Sequence, residues 1–154
     1  LINAVEKHGV RAWMWGDGAW NKVWAPEADW HMEDEFFDRV PKSVLISSWY
    51  YDNCFRPEEF VTEEQIRARD GRLPIVRAYE KLDRAGFQQV PTVSNIKYLD
   101  NLSKTIAYCS QVTQPDRLLG YLMTTWVPTV PKFREFHLEA IRLIGEAVAA
   151  QSGQ

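Results

Sequence analysis

Apolar residues in this chain come in short runs separated by polar, helix-like stretches, and several runs end in tryptophan. Val10 to Trp15, Val44 to Tyr50, Phe87 to Val93 and Leu118 to Thr125 read as strands. Ile2 to His8 reads as a helix tail, stopped by Gly9. Helices are predicted over Glu33 to Val40, Arg72 to Arg84, Asn101 to Val112 and Phe133 to Ala150. Glu33 to Val40 opens with acidic residues, which a helix N-terminus prefers. Ile75, Val76, Tyr79 and Leu82 recur at helical spacing, as do Leu138, Ile141, Leu143, Ile144 and Val148. The acidic segment Glu58 to Asp70 is expected to add a separate turn or helix, with a solvated face.

The order is a helix tail followed by four consecutive strand–helix units, which predicts an α/β class with a parallel sheet and helices outside it. Four such units are half of a (β/α)8 barrel, whose active sites lie at the C-terminal ends of the strands. The chain opens on Leu1 within helix-like sequence, so residues 1–154 are expected to form one partial barrel domain that lacks the upstream strands. Its open edges would then invite self-association or aggregation.

Strand alternation sorts the side chains. Arg11, Trp13, Trp15 and Asp17 share one face of the first strand; Val10, Ala12 and Met14 share the other and should pack on helices. Ser47, Trp49 and Tyr51 share a face of the second, with Tyr50 packed behind. On the fourth, Gly120, Leu122, Thr124 and Trp126 alternate with Tyr121, Met123 and Thr125. Trp15, Trp49 and Trp126 therefore stand at strand ends as candidate walls of one pocket. Tyr51, Asp17, Asn95, Tyr98 and Asp100 are the further substrate-binding candidates beside them. Flat apolar walls suit pyranose rings, whose C–H faces stack on indole while their hydroxyls need carboxylates and amides. Core packing of the same tryptophans, and helix capping by Asp100 or Asn101, are the plainer alternatives.

Composition narrows the classes. The chain has 154 residues, 45% hydrophobic and 25% charged, so it is expected to be globular with a real core. Eighteen basic and twenty-one acidic residues give a formal charge of −3, with no general attraction to nucleic acid or anionic membranes. No apolar run approaches the ~20 residues a membrane helix needs. Cys54 and Cys109 form no CxxC pattern and read as free thiols. His8, His31 and His137 lack ligand spacing, so surface or capping roles are expected and no metal or cofactor. Neither GxGxxG, a P-loop, GxSxG nor HExxH is present.

Four features resemble the C-terminal half of the family 20 glycoside hydrolases, the β-N-acetylhexosaminidases. They are Trp13-Met14-Trp15-Gly16-Asp17, Trp49, Tyr98-Leu99-Asp100 and Gly120 to Trp126, taken in that order along most of the chain. They look like the fifth to eighth strands of that family's barrel. The resemblance implies exo-acting removal of a terminal β-N-acetylhexosamine. Trp15, Trp49 and Trp126 would match the hydrophobic walls, Tyr98 the tyrosine that bonds the acetamido oxygen, and Asp100 a carboxylate to sugar hydroxyls. In that family the substrate's acetamido group attacks the anomeric carbon, and an Asp–Glu pair after the fourth strand assists. That pair would lie upstream of Leu1. Asp34-Glu35 reads as an N-terminal helix charge pair, so the chain alone is expected to be inactive, with no catalytic group of its own. Val127-Pro128 stand where the family commonly has a carboxylate. A non-catalytic carbohydrate-binding module and a different barrel enzyme are the competing readings.

Overall fold

A computed structural model describes residues 2–16, 32–55 and 73–152. Asp17, the tryptophans Trp20, Trp24 and Trp30, His31, and Glu58 to Asp70 lie outside the described residues. Helices and short strands alternate along the chain: α1 (Ile2–Glu6), β1 (Trp13–Trp15), α2 (Met32–Arg39), β2 (Leu45–Ser47), α3 (Leu73–Arg84), β3 (Thr92–Ser94), α4 (Asn101–Val112), β4 (Leu122–Thr124) and α5 (Arg134–Ser152). A 3-10 turn, Pro131–Phe133, leads into α5. The class is mixed α/β with parallel pairing. β1 pairs with β2 in the register Trp13↔Leu45 to Trp15↔Ser47, and β3 with β4 from Thr92↔Leu122 to Ser94↔Thr124. Single parallel bridges, Ile46↔Gln89, Trp49↔Thr92 and Gln89↔Leu118, link the segments around β2, β3 and β4.

The ladders are shorter than the apolar runs, and two residues explain where they break. Pro91 has no N–H to donate, so the third run splits into the bridge at Gln89 and the strand from Thr92. Gly120 takes φ +146°, which separates the bridge at Leu118 from β4. Helix ends follow the sequence signals more closely. α3 closes on Gly86 at φ +84°, where Phe87 N–H reaches Leu82 C=O (3.0 Å) and Gly86 N–H reaches Asp83 C=O (2.8 Å). This is a Schellman cap, and it needs the left-handed conformation that glycine adopts without a Cβ penalty.

The core is drawn from Phe36, Val44, Ile46, Tyr50, Phe55, Val76, Ala78, Tyr79, Leu82, Phe87 and Cys109. Fully burying side chains such as Phe87 and Leu82 contributes about 1.5–3 kcal/mol each. Ala12 and Met14 pack against this cluster, whereas Trp13 and Trp15 are 54% and 43% exposed. Strand alternation therefore sorts Ala12 to Trp15 as expected, whereas Val10, expected to pack on helices, lies before the ladder and is exposed; Tyr50 lies behind Trp49 against Phe55. Both cysteines are free thiols, and burial pushes the Cys109 thiol up.

One polar staple ties α3 to the approach of β4. The buried Asp83 carboxylate accepts the Gln114 N–H (2.8 Å) and faces the Arg117 guanidinium at 3.4 Å. The same guanidinium donates to the Asp83 carbonyl at 2.5 Å. A buried carboxylate is tolerated because it is both paired and hydrogen-bonded.

Candidate functional site

Because the pairs are parallel, the ends of β1 to β4 deliver Trp15, Trp49, the loop after Ser94, and Trp126 as the chain leaves each strand. Trp13, Met14, Trp15, Ser47 and Leu122 line an open, mainly apolar hollow of about 350 Å³. The Trp13 indole N–H donates to Ser47 Oγ at 2.7 Å, and Ser47 Oγ donates in turn to the Val90 carbonyl at 3.0 Å. That relay fixes one indole edge-on to β2 while leaving its ring open to solvent.

Two residues beyond Ser47, Trp49 stacks on Tyr51, with ring centres 5.2 Å apart and 19° between planes. Tyr51 meets Trp126 edge-on, at 6.2 Å and 62°. Rings 75 positions apart in sequence are thus brought into one cluster. Aromatic pairs of this geometry contribute ~0.5–1.5 kcal/mol beyond area burial. Trp126 remains 59% exposed, and its backbone sits at φ +52°. It is the only non-glycine residue with positive φ among the described residues. A bulky residue in the left-handed region is a true outlier and persists only where its surroundings over-determine it.

The loop after β3 divides its polar residues. Tyr98 is exposed. Asn95 is buried, and its amide donates to the Phe136 carbonyl on α5 (3.2 Å), so it braces a helix. Among the described residues its Oδ1 has no hydrogen-bond partner. Asp100 stands at the N-cap position of α4 but makes no side-chain cap bond. Instead both carboxylate oxygens accept from Asn53 Nδ2 (2.8 and 3.0 Å), and Lys104 lies 3.5 Å away. Asp100 also lines a second hollow of about 350 Å³ with Leu99, Leu102, Ser103, Leu143, Glu146 and Ala147.

The Asn53 amide, helped by Lys104, holds the Asp100 carboxyl below its ordinary range. A carboxyl depressed in the folded state stabilises the fold above its unfolded pKa, and that stabilisation is lost as pH falls through the folded one. Asn53→Ala is expected to move the Asp100 titration upward toward the ordinary carboxylate value in a carboxyl-carbon NMR titration. An unmoved midpoint would mean that Asn53 is not the cause.

Burial raises the Tyr79 and Tyr121 phenols and the Cys109 thiol, so each holds its proton. Asp34-Glu35 falls within α2, early in the helix. Among the described residues no group of three or more His, Cys, Asp or Glu could hold a metal, and no helix is long and apolar enough to cross a membrane.

Sequence reasoning did not find two polar hubs. Asn101 is fully buried, donates to the Tyr50 and Asp52 carbonyls (3.0 and 2.9 Å) and accepts from the Ser94 N–H (3.2 Å). His137 spans the loop after β4, with Nδ1 3.0 Å from Thr125 Oγ1 and Nε2 3.2 Å from the Pro128 carbonyl. An asparagine at a helix start was the available signal for the first. His137, expected in a surface or capping role, caps no helix end and instead ties α5 to the preceding loop through a tertiary contact. No protein-family model, curated protein or solved structure matches the chain.

Proposed function

We propose that this chain forms the sugar-binding side of an exo-acting glycoside hydrolase that removes terminal β-N-acetylhexosamine with retention. In this reading its strand–helix units make half of a (β/α)8 barrel. The observation that carries the proposal is the convergence of Trp49, Tyr51 and Trp126, beyond the C-terminal ends of parallel strands, on the face that also presents Trp13 and Trp15. Ligands of parallel α/β folds bind at that end. The indoles stack on the pyranose C–H face, and Tyr98 and Asp100 supply hydrogen bonds to the acetamide and hydroxyls.

The reaction needs no nucleophile from the protein. The acetamido oxygen attacks the anomeric carbon, the leaving oxygen takes a proton from a general acid, and water then opens the cyclised intermediate. An Asp–Glu pair from another segment would supply the acid and orient the acetamide, so this chain alone binds sugar weakly and does not hydrolyse it. Among the described residues β1 and β4 are each laddered on one side, so strand addition by a second copy is the corresponding mode of self-association.

The test is a tryptophan-fluorescence titration of the chain with N-acetylglucosamine thiazoline, which mimics the cyclised intermediate, against glucose. Saturable quenching by the thiazoline and little response to glucose is the expected result. Equal responses to both ligands, or none to either, would remove the acetamido-directed reading.

A further inference from the structure

We propose that His137 is the positioning residue that sets the direction of the Trp126 indole; its importance for sugar binding rests on the reading above. Two bonds from one imidazole straddle Trp126 in sequence. The Pro128 carbonyl can only accept, so Nε2 carries a proton. In the neutral ring Nδ1 is then the acceptor, and Thr125 Oγ1 donates to it. The Pro128 carbonyl also accepts the Val130 N–H at 2.9 Å, which closes the turn from the far side. Residues 125 and 128 are thereby held to one ring, and the residue between them that sits at φ +52° is Trp126.

The ring itself is held by the sheet. His137 follows Phe136, whose carbonyl is bonded by the buried Asn95. Thr124 Oγ1 donates to the Val93 carbonyl at 3.0 Å, so β4 is fixed to β3 immediately before the turn. Asn95, a candidate ligand group by its place after β3, therefore serves the same bracket from the opposite strand. Released from His137, the turn relaxes toward an ordinary negative φ, and a change in φ at Trp126 swings the indole away from Tyr51.

The experiment uses the full chain labelled with nitrogen-15, with the Trp126 indole N–H resonance assigned by its loss in Trp126→Phe. His137→Ala is expected to move that resonance toward the value of a free indole, and to weaken thiazoline binding about tenfold. His137→Gln, which again offers an adjacent acceptor and donor, is expected to restore both. Thr125→Val removes one bond without touching the ring, and its effect is expected to be non-additive with His137→Ala. An unmoved indole resonance in His137→Ala, or additive effects of the two variants, would overturn the proposal. If the unmodified chain binds no sugar, the glycosidase reading fails, and the resonance still decides whether His137 holds Trp126.

Discussion

Asn101→Ala is expected to lower the unfolding free energy by about 3 kcal/mol, because it strands three backbone groups that one amide now serves. The geometry admits one orientation of that amide. Its nitrogen faces the Tyr50 and Asp52 carbonyls, and its oxygen faces the Ser94 N–H. Side chains of similar size cannot replace it. Asn101→Asp keeps the acceptor for Ser94 but points a carboxylate at two carbonyls in a buried site, so it is expected to destabilise more than alanine does. Urea melts followed by far-UV circular dichroism would rank the three proteins. A loss under about 1 kcal/mol for alanine, or tolerance of aspartate, would show that water replaces the amide without difficulty.

Trp126→Ala is expected to weaken thiazoline binding by at least about tenfold, while shifting the melting temperature little. The indole is more than half exposed, so its removal takes little apolar area out of the fold. Its edge contact with Tyr51 is the main packing loss. Trp126→Gly makes the case sharper. Glycine adopts φ +52° freely, so this variant is expected to be as stable as the parent or more so, and to bind no better than alanine. Backbone strain at Trp126 would then be tolerated for what the ring does in the folded protein. Unchanged affinity in either variant would make the ring a packing element and remove it from the binding surface.

Much of the element order was legible because it rests on local signals. α4 spans Asn101 to Val112, the bounds expected from the sequence, and Gly86 ends α3 through a bond pattern that glycine makes accessible. The strands were overextended because hydrophobic runs report burial, whereas a ladder also needs donors. Pro91 and Gly120 break the ladder without breaking the apolar run. In the site, alternation separates Trp13 and Trp15, which are exposed, from Ala12 and Met14, which pack on the core, and sets Tyr50 behind Trp49. It did not show that Tyr51 is the ring joining Trp49 to Trp126, since that depends on how β2 and β4 are set in space. Asp100 has the position of a cap but the bonds of a cross-loop tie. Nothing in the sequence near residue 100 announces Asn53 as its partner.

The shallow attachment of the N-terminal segment has a consequence for the hollow beside it. α1 contains no buried residue, and among the described residues β1 and its approach are held by a three-residue ladder, the packing of Ala12 and Met14 on the core, an Arg11 bond to the Ser43 carbonyl (2.7 Å), a Ser43 bond to Glu6 (2.6 Å) and the Trp13 bond to Ser47. The hydrophobic centre draws mainly on residues from Phe36 onward. A segment held at the edge of the centre in this way is expected to open at a lower free energy than global unfolding, which amide hydrogen exchange of Trp13 to Trp15 against Ile46 would show. Trp13 and Trp15 would leave with it, while Trp49, Tyr51 and Trp126 stayed in place. In that case the two groups of rings would belong to different cooperative units, and a ligand spanning both would join them into one.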